Sequence, residues 1–258
     1  MAARIPNRQY NLAAPDSLAV RISGYQRRRM YRRFLAETAV GITDTILDVG
    51  ATADRSYASS NYLEQWYPHK SALTAVGIDD AAFLAGLHPG LRFVRANGLH
   101  LPFAERAFDM VHCAAVLEHV GSLHRQTMLV RECCRVARKA VFFTTPNRWF
   151  PVEFHTAMPL VHWLPRQAFR ILMRASGHAF FAEEANLNLL TASELRAIVS
   201  CIEEFAFDVS SVSLAGWPSN LLLIGRRTGT VRSPPQGSGQ MPRQTQSKGS
   251  SSAAGVLP

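Results

Sequence analysis

Two carboxylates, each at or just before the end of a short apolar run, are the side chains in this sequence best placed to do chemistry. In ILDVGATAD (46–54) a buried strand would deliver Asp48 and Gly50 to a tight turn. Gly50 has no Cβ, so the backbone that follows can approach a ligand closely. In AVGIDD (75–80) Asp79, with Asp80 beside it, ends a second run. A carboxylate at such a strand end can accept both hydroxyls of a ribose. RANGLHLPF (95–103) and FDMVHCAAVLEHV (108–120) are two further marks. Singly, Asp48 and Asp79 read as well as strand-end caps; their joint order with Gly50 and the LPF run favours binding of a nucleotide-like cofactor. His119 and His155 have the side-chain type of a general base, and His119 reads equally as a core or helix-start histidine. Glu153, His155 and His162 are ligand-type groups, but no second tight cluster supports them, so no metal is expected.

The elements that must hold these residues alternate regularly. Val20–Leu35 reads as a helix, with Met30 and Phe34 one turn apart among five arginines. Strands are expected at 45–49, 73–78, 91–94, 108–113 and 140–144, with helices at 59–67 and 123–137 between them. Thr191, three residues before Glu194, predicts a capping box opening a helix over 191–202. Two late strands follow at about 204–213 and 219–225. Apolar strands separated by helical stretches predict an α/β domain whose mostly parallel sheet is covered on both faces.

Composition bounds the reading further. The 258 residues, 47% apolar and 18% charged, suit one globular domain. The net charge of +9 sits at the ends: residues 1–33 carry +7 and residues 226–258 carry +5, so 34–225 is slightly acidic. A nucleic-acid-binding domain would carry its basic patch on the fold itself, so no nucleic-acid partner is expected. The four cysteines, Cys113, Cys133, Cys134 and Cys201, show no metal or disulfide spacing and read as reduced thiols. With no apolar leader run in 1–20, a cytoplasmic protein is expected. Residues 1–19 read as a flexible N-terminus, 20–227 as the domain, and 228–258, rich in Ser, Gly, Pro and Gln, as a disordered tail.

The four motifs in this order resemble the class I S-adenosylmethionine-dependent methyltransferases, the type 11 family in particular, over about residues 25–226. The resemblance implies a Rossmann-like seven-stranded sheet of order 3-2-1-4-5-7-6 with strand seven antiparallel. It implies S-adenosylmethionine as cofactor, with Asp48, Gly50 and Thr52 by the methionine moiety and Asp79 and Asp80 by the ribose. Asn97, Gly98 and Leu99 would lie by the adenine, and Cys113 to Ala115 at the strand-four end would face the transfer site, with Glu118 and His119 just beyond. By residue type, His119 and His155 are the candidate catalytic bases if the acceptor is a hydroxyl. The acceptor would be a small or lipid-like molecule.

Thr52 and Asp54 stand where family members usually have glycines. They leave a non-catalytic binding module as an alternative of another class. A nicotinamide-dependent oxidoreductase fits less well, because Asp54 would repel a diphosphate. Asp54 is expected at a helix start or facing the cofactor's cationic groups.

The segment 146–190, after strand five, is longer than a crossover needs and reads as an insertion facing the acceptor, with Trp149 and His155 walling the pocket. Arg166, Arg170 and Arg174 form a basic stripe beside an apolar face, which reads as a solvated helix or, alternatively, as peripheral membrane contact. Deleting residues 229–258 should leave the melting temperature and cofactor affinity unchanged, since that segment has no apolar pattern to dock. Differential scanning fluorimetry on the truncated chain checks it.

Overall fold

The computed structural model describes residues 17–229 except 56, 58, 154 and 157. Of the flexible start expected at 1–19, residues 1–16 lie outside the described residues, as do residues 230–258 of the tail expected at 228–258. Helix α1 (Leu18–Thr38) begins on the Ser17 cap, so Leu18 and Ala19 belong to the domain rather than to the N-terminal segment. In chain order follow β1 (Ile46–Val49), α2 (Tyr62–Trp66), β2 (Leu73–Gly77), α3 (Phe83–Leu87), β3 (Arg92–Arg95), β4 (Phe108–Ala114), α4 (Leu123–Val136) and β5 (Ala137–Pro146). Then come α5 (Arg166–Ala175), α6 (Ala179–Ala182), α7 (Ala192–Val199), β6 (Phe205–Leu214) and β7 (Trp217–Arg227).

The sheet order is β3-β2-β1-β4-β5-β7-β6. Strands β3 to β5 pair in parallel, and β7 runs antiparallel to both neighbours. Strand periodicity splits the core in two. Leu47, Val49, Val111, Cys113, Val141 and Phe143 face α4 and α7, meeting Leu129, Cys133, Leu195 and Ile198. Ile46, Ala75, Met110, Ala140 and Phe142 face the other way, meeting Met30 and Phe34 of α1 and Leu63 of α2. A smaller cluster, Phe169, Met173, Phe181, Leu187 and Leu189, holds α5 and α6 together.

The arginines expected as a basic stripe are paired within the fold. Arg166 meets Glu194, Arg170 meets Glu184 and Arg174 meets Glu183, at 2.5, 3.4 and 3.0 Å. Helix α5 is thus tied to α6 and α7, and its charge is largely answered at home. Among the described residues no helix is long and apolar enough to cross a membrane.

The expected capping box is formed: Thr191 Oγ1 accepts the Glu194 N–H at 3.2 Å, and Glu194 accepts the Thr191 N–H at 2.8 Å. Thr191→Ala should cost about 1 kcal/mol, read as a lower denaturant midpoint at unchanged m-value.

Candidate active site

The strand ends β1, β2, β4 and β5 open into one cavity of about 460 Å³, within the range of small-molecule sites. Its floor is a turn that leaves no room for side chains. Gly50 has φ +113°, and a Cβ there would lie 2.2 Å from Val116 Cγ2. A Cβ on Gly77 would lie 2.2 Å from the Ala51 carbonyl oxygen. Gly50 and Ala51 both donate their N–H to Val76 O, at 2.8 and 2.9 Å. The Thr52 N–H goes to Asn61 Oδ1 at 2.9 Å, and Asn61 returns a bond to Thr52 O at 3.0 Å. Those amides face inward, so the turn offers no cradle for a diphosphate. The residue pattern that departs from glycine at Thr52 is a loop stapled by Asn61. Asp54 is buried in this loop and donates its N–H to Thr52 Oγ1; it does not open a helix, for α2 begins eight residues later, at Tyr62, and Asp54 does not line the cavity.

Beneath the turn lies a buried chain of polar groups. Asp48 of β1 sits in register with His112 of β4, and His112 Nδ1 meets the Asp48 carboxylate. The Tyr62 hydroxyl lies 2.8 Å from His112 Nε2. Burial pushes His112 down to about 4, so the ring is neutral: Nδ1–H donates to Asp48 and Tyr62 donates to Nε2. Burial pushes Asp48 up to about 6, opposed by the adjacent Glu64 carboxyl. Glu64 is held well above the carboxylate range by burial and by the Asp48 charge. Neither Glu64 oxygen has a hydrogen-bond partner among the described residues, so this carboxyl stays protonated beside Asp48. The network carries one negative charge at neutral pH, on Asp48, at the cavity floor.

A second group forms the wall. After β4 the chain turns at Ala115, whose φ of +56° is the left-handed conformation, and a single 3-10 turn at Leu117–His119 presents His119. From the insertion, His155 comes to 3.3 Å, Nε2 to Nε2. His119 Nδ1 lies 2.7 Å from Asn186 O, and His155 Nδ1 lies 2.7 Å from Glu153 Oε1. Glu153 also accepts the His155 N–H and the Thr156 N–H and hydroxyl. Although burial opposes it, these contacts with His155 and Thr156 hold Glu153 down at about 2, an ionised carboxylate. Burial and the neighbouring His155 push His119 down to about 3, while Glu153 raises His155 against its burial. Glu118 is fully buried and raised to about 7 by burial. Its Oε2 accepts from Thr145 Oγ1 at 2.9 Å, and its Oε1 has no donor.

Asp48, Gly50, Thr52, Asn97, Gly98, Leu99, His119 and His155 all line the cavity. Asn97 Oδ1 accepts the Leu99 N–H at 3.0 Å, which shapes that turn. Asp79 and Asp80 stand just past the lining residues Gly77 and Ile78 and do not line it; Asp80 instead accepts the Ala82 N–H at 2.9 Å. Cys113 does not face the transfer site. Strand alternation turns it to the opposite core against Cys133, and its neighbours His112 and Ala114 line the cavity instead. Trp149 does not wall the pocket either. It is 48% exposed and lies 6.1 Å from Trp163, which is 6.2 Å from Trp217, an aromatic group outside the cavity. Helix α1, legible in the sequence as a helix, also forms a cavity wall through Val20, Ser23, Gln26, Arg27 and Met30, a role the sequence did not reveal. Tyr62, Glu64 and His112 were not among the expected site residues either. The alternation in FDMVHCA carried the signal for His112.

Residues 47–144 match the family model of a methyltransferase domain, type 11. Among curated proteins none matches the chain significantly in sequence. Solved structures share the architecture. Magnesium protoporphyrin IX methyltransferase from Synechocystis PCC 6803, with bound SAH, is 12% identical with a TM-score of 0.53, covering 86% of this chain and 92% of its own. An S-adenosylmethionine-dependent methyltransferase from Aquifex aeolicus is 11% identical, with a TM-score of 0.52 and coverage of 81% and 96%. The N-methyltransferase NodS from Bradyrhizobium japonicum WM9, in complex with SAH, is 15% identical, with a TM-score of 0.50 and coverage of 86% and 95%. At these identities the likeness is one of fold: the Rossmann-like class I methyltransferase fold. Together, the domain match over residues 47–144 and this fold indicate an S-adenosylmethionine-dependent methyltransferase. The cavity suits that cofactor, which is cationic at its sulfonium and lacks phosphate: glycines clear its floor, inward-facing amides offer no diphosphate cradle, and the one buried charge of the floor network is an anion.

The buried Glu118 carboxyl makes a checkable contribution to stability. Its pKa in the fold is raised, so stability present below pH 4.5 is lost as pH rises through about 7. With EDTA present, Glu118→Gln should melt close to wild type at pH 5 and clearly above it at pH 8. Thermal melts at the two pH values check this.

Proposed function

We propose that this methyltransferase acts on a hydroxyl-bearing small or lipid-like acceptor, held between the turn at 114–120 and the segment 146–155. One observation carries the reading: His119 and His155 both line the cavity, and their Nδ1 atoms are committed to Asn186 O and Glu153. Each ring thereby presents Nε2 to the other and to the Glu118 side. A cluster of this kind can take up the proton or the developing charge of an acceptor oxygen. NodS and the porphyrin enzyme act on other acceptors by their names, so the acceptor class rests on this wall alone.

S-adenosylmethionine supplies an electrophilic methyl group when bound. The residues around the floor suit it in parts. Asp48 offers a carboxylate to its cationic groups, while Arg27, across Tyr62, offers a guanidinium to its carboxylate. Asp79, at the rim, is within the reach of a ribose, with Asp80 beyond it. The Asn97 amide NH₂ can donate to an adenine edge, and Gly98 and Leu99 pack the ring. Thr52 and the staple through Asn61 hold the loop that these contacts need. The acceptor oxygen loses its proton and bonds to the methyl carbon as the sulfur–carbon bond breaks, leaving S-adenosylhomocysteine. Alignment in an enclosed site does most of that work. The unit that performs it is α1 through β7, with 146–190 as its acceptor-facing part.

Two sets of measurements test this. Asp79→Ala should weaken S-adenosylmethionine binding by about 1.5–3 kcal/mol in calorimetry, and unchanged affinity would remove Asp79 from the site. Affinity should also fall as pH drops through about 6, where Asp48 takes up a proton, and Asp48→Asn should abolish that dependence. For the wall, S-adenosylhomocysteine release is followed over a panel of phenols, enols and alcohols. His155→Ala should lose turnover per folded molecule while keeping cofactor affinity within a few-fold, whereas Trp149→Ala should retain both. Normal turnover in His155→Ala would sink the acceptor assignment.

A further inference from the structure

We propose that Glu118, His119 and His155 form a binding site for a divalent metal ion at the acceptor wall. The proposal rests on the acceptor assignment above and names what that wall uses. It begins with donor counting. Asn186 O can only accept, so His119 Nδ1 carries its hydrogen; the ionised Glu153 fixes His155 in the same way. His119 Nε2 is therefore left to accept, and it lies 3.3 Å from His155 Nε2, so a single cation, a proton or a metal ion, holds the two rings together.

A proton would answer the two rings but not the third member. Glu118 Oε1 is buried, has no donor, and lies 3.8 Å from His119 Nε2. The three ligand atoms all fall within 4.8 Å of one another. Ligands held about 2.0–2.1 Å from a tetrahedral zinc stand roughly 3.4 Å apart, so a small closure of this group encloses an ion. The outer contacts are those of a metal site. One histidine donates to a carboxylate, the other to a backbone carbonyl, and Thr145 donates to the second Glu118 oxygen. Two imidazoles and a carboxylate suit zinc, manganese or iron(II) better than magnesium, and they leave coordination positions open. His119 and His155 line the cavity, so an acceptor oxygen can take one of those positions.

The inference narrows the substrate to a hydroxyl compound able to coordinate, such as a phenol or enol. Coordination lowers the pKa of the hydroxyl, whose proton leaves to solvent. The oxygen then bonds to the methyl carbon, the sulfur–carbon bond breaks, and its electron pair stays on sulfur. The adjacency of Glu118 and His119 gives no spacing signature, since His155 lies 36 residues further on and only the fold brings it there.

The test uses untagged, EDTA-treated full-length protein titrated with ZnCl₂ and MnCl₂ by calorimetry, and with CoCl₂ by visible absorption. One ion per chain is expected, with ligand-field bands for cobalt. Affinity should fall at least about tenfold in Glu118→Gln, His119→Ala and His155→Ala, and stay unchanged in His124→Ala, a surface histidine. Melting temperatures of all variants, with His155→Gln as a milder second substitution, confirm that each is folded. No ion bound by the wild type, or equal affinity in folded ligand variants, overturns the proposal. If no ion binds and His155→Ala still loses turnover with cofactor affinity intact, the metal site falls and the acceptor assignment stands. If the ion binds and depends on the three ligands while turnover does not, the site stands and the acceptor assignment falls.

Discussion

Two hydrogen bonds to a single carbonyl set the geometry on which the site depends. By donating both the Gly50 and Ala51 N–H groups to Val76 O, the chain leaves β1 and crosses directly over the end of β2. Only glycine fits at positions 50 and 77 in that crossing, because each Cβ would meet a neighbour at 2.2 Å. The crossing brings Asp48, Asn97 and the 114–120 turn around one opening, since parallel strands present all their carboxyl ends at the same edge.

Two buried polar networks flank this opening and solve the problem of burial differently. Around Asp48 every partner is internal. His112 donates to Asp48 and Tyr62 donates to His112, so the buried carboxylate ends a chain of internal donors. Around His119 and His155 the Nδ1 hydrogens are spent outward, on Asn186 O and Glu153, and the two Nε2 atoms meet at 3.3 Å. Beside them the buried Glu118 Oε1 has no donor among the described residues, and a group left unsatisfied inside a fold costs free energy that a proton, a substrate or an ion can offset.

The insertion holds its residues through its own small apolar cluster, Phe169 to Leu189, and through ionic and backbone ties. Asn147 and Arg148 bond to Ser219 O and Leu190 O, and the three arginines of α5 reach Glu194, Glu184 and Glu183. This explains how a proline-rich stretch with little regular structure keeps His155 at a fixed distance from His119. It also explains why charge that reads as a solvated or membrane-facing stripe in one dimension is paired within the fold in three.

What the sequence determined by itself is whatever depends on local order along the chain. The seven strands, the Thr191 cap, the Gly50 turn and the motif order that points to S-adenosylmethionine are all legible there, because alternation, capping and glycine placement act over a few residues. Strand order 3-2-1-4-5-7-6 came from resemblance, since pairing partners are set by packing. Tertiary structure alone decided the rest. Period-2 alternation could have said that Cys113 and His112 point apart, but not which face opens into the cavity; that depends on α1 covering one side of the sheet. Glu64 carries no mark in the sequence, and only burial beside Asp48 gives it a proton to keep. Trp149 and His155 belong to the same loop, yet the loop's fold sends one to the surface and the other to the wall. Glu118, His119 and His155 meet only because β4 and the insertion after β5 end at the same edge of the sheet. Contacts between residues far apart in sequence are a property of the packed chain, and chemistry made by such contacts is visible only there.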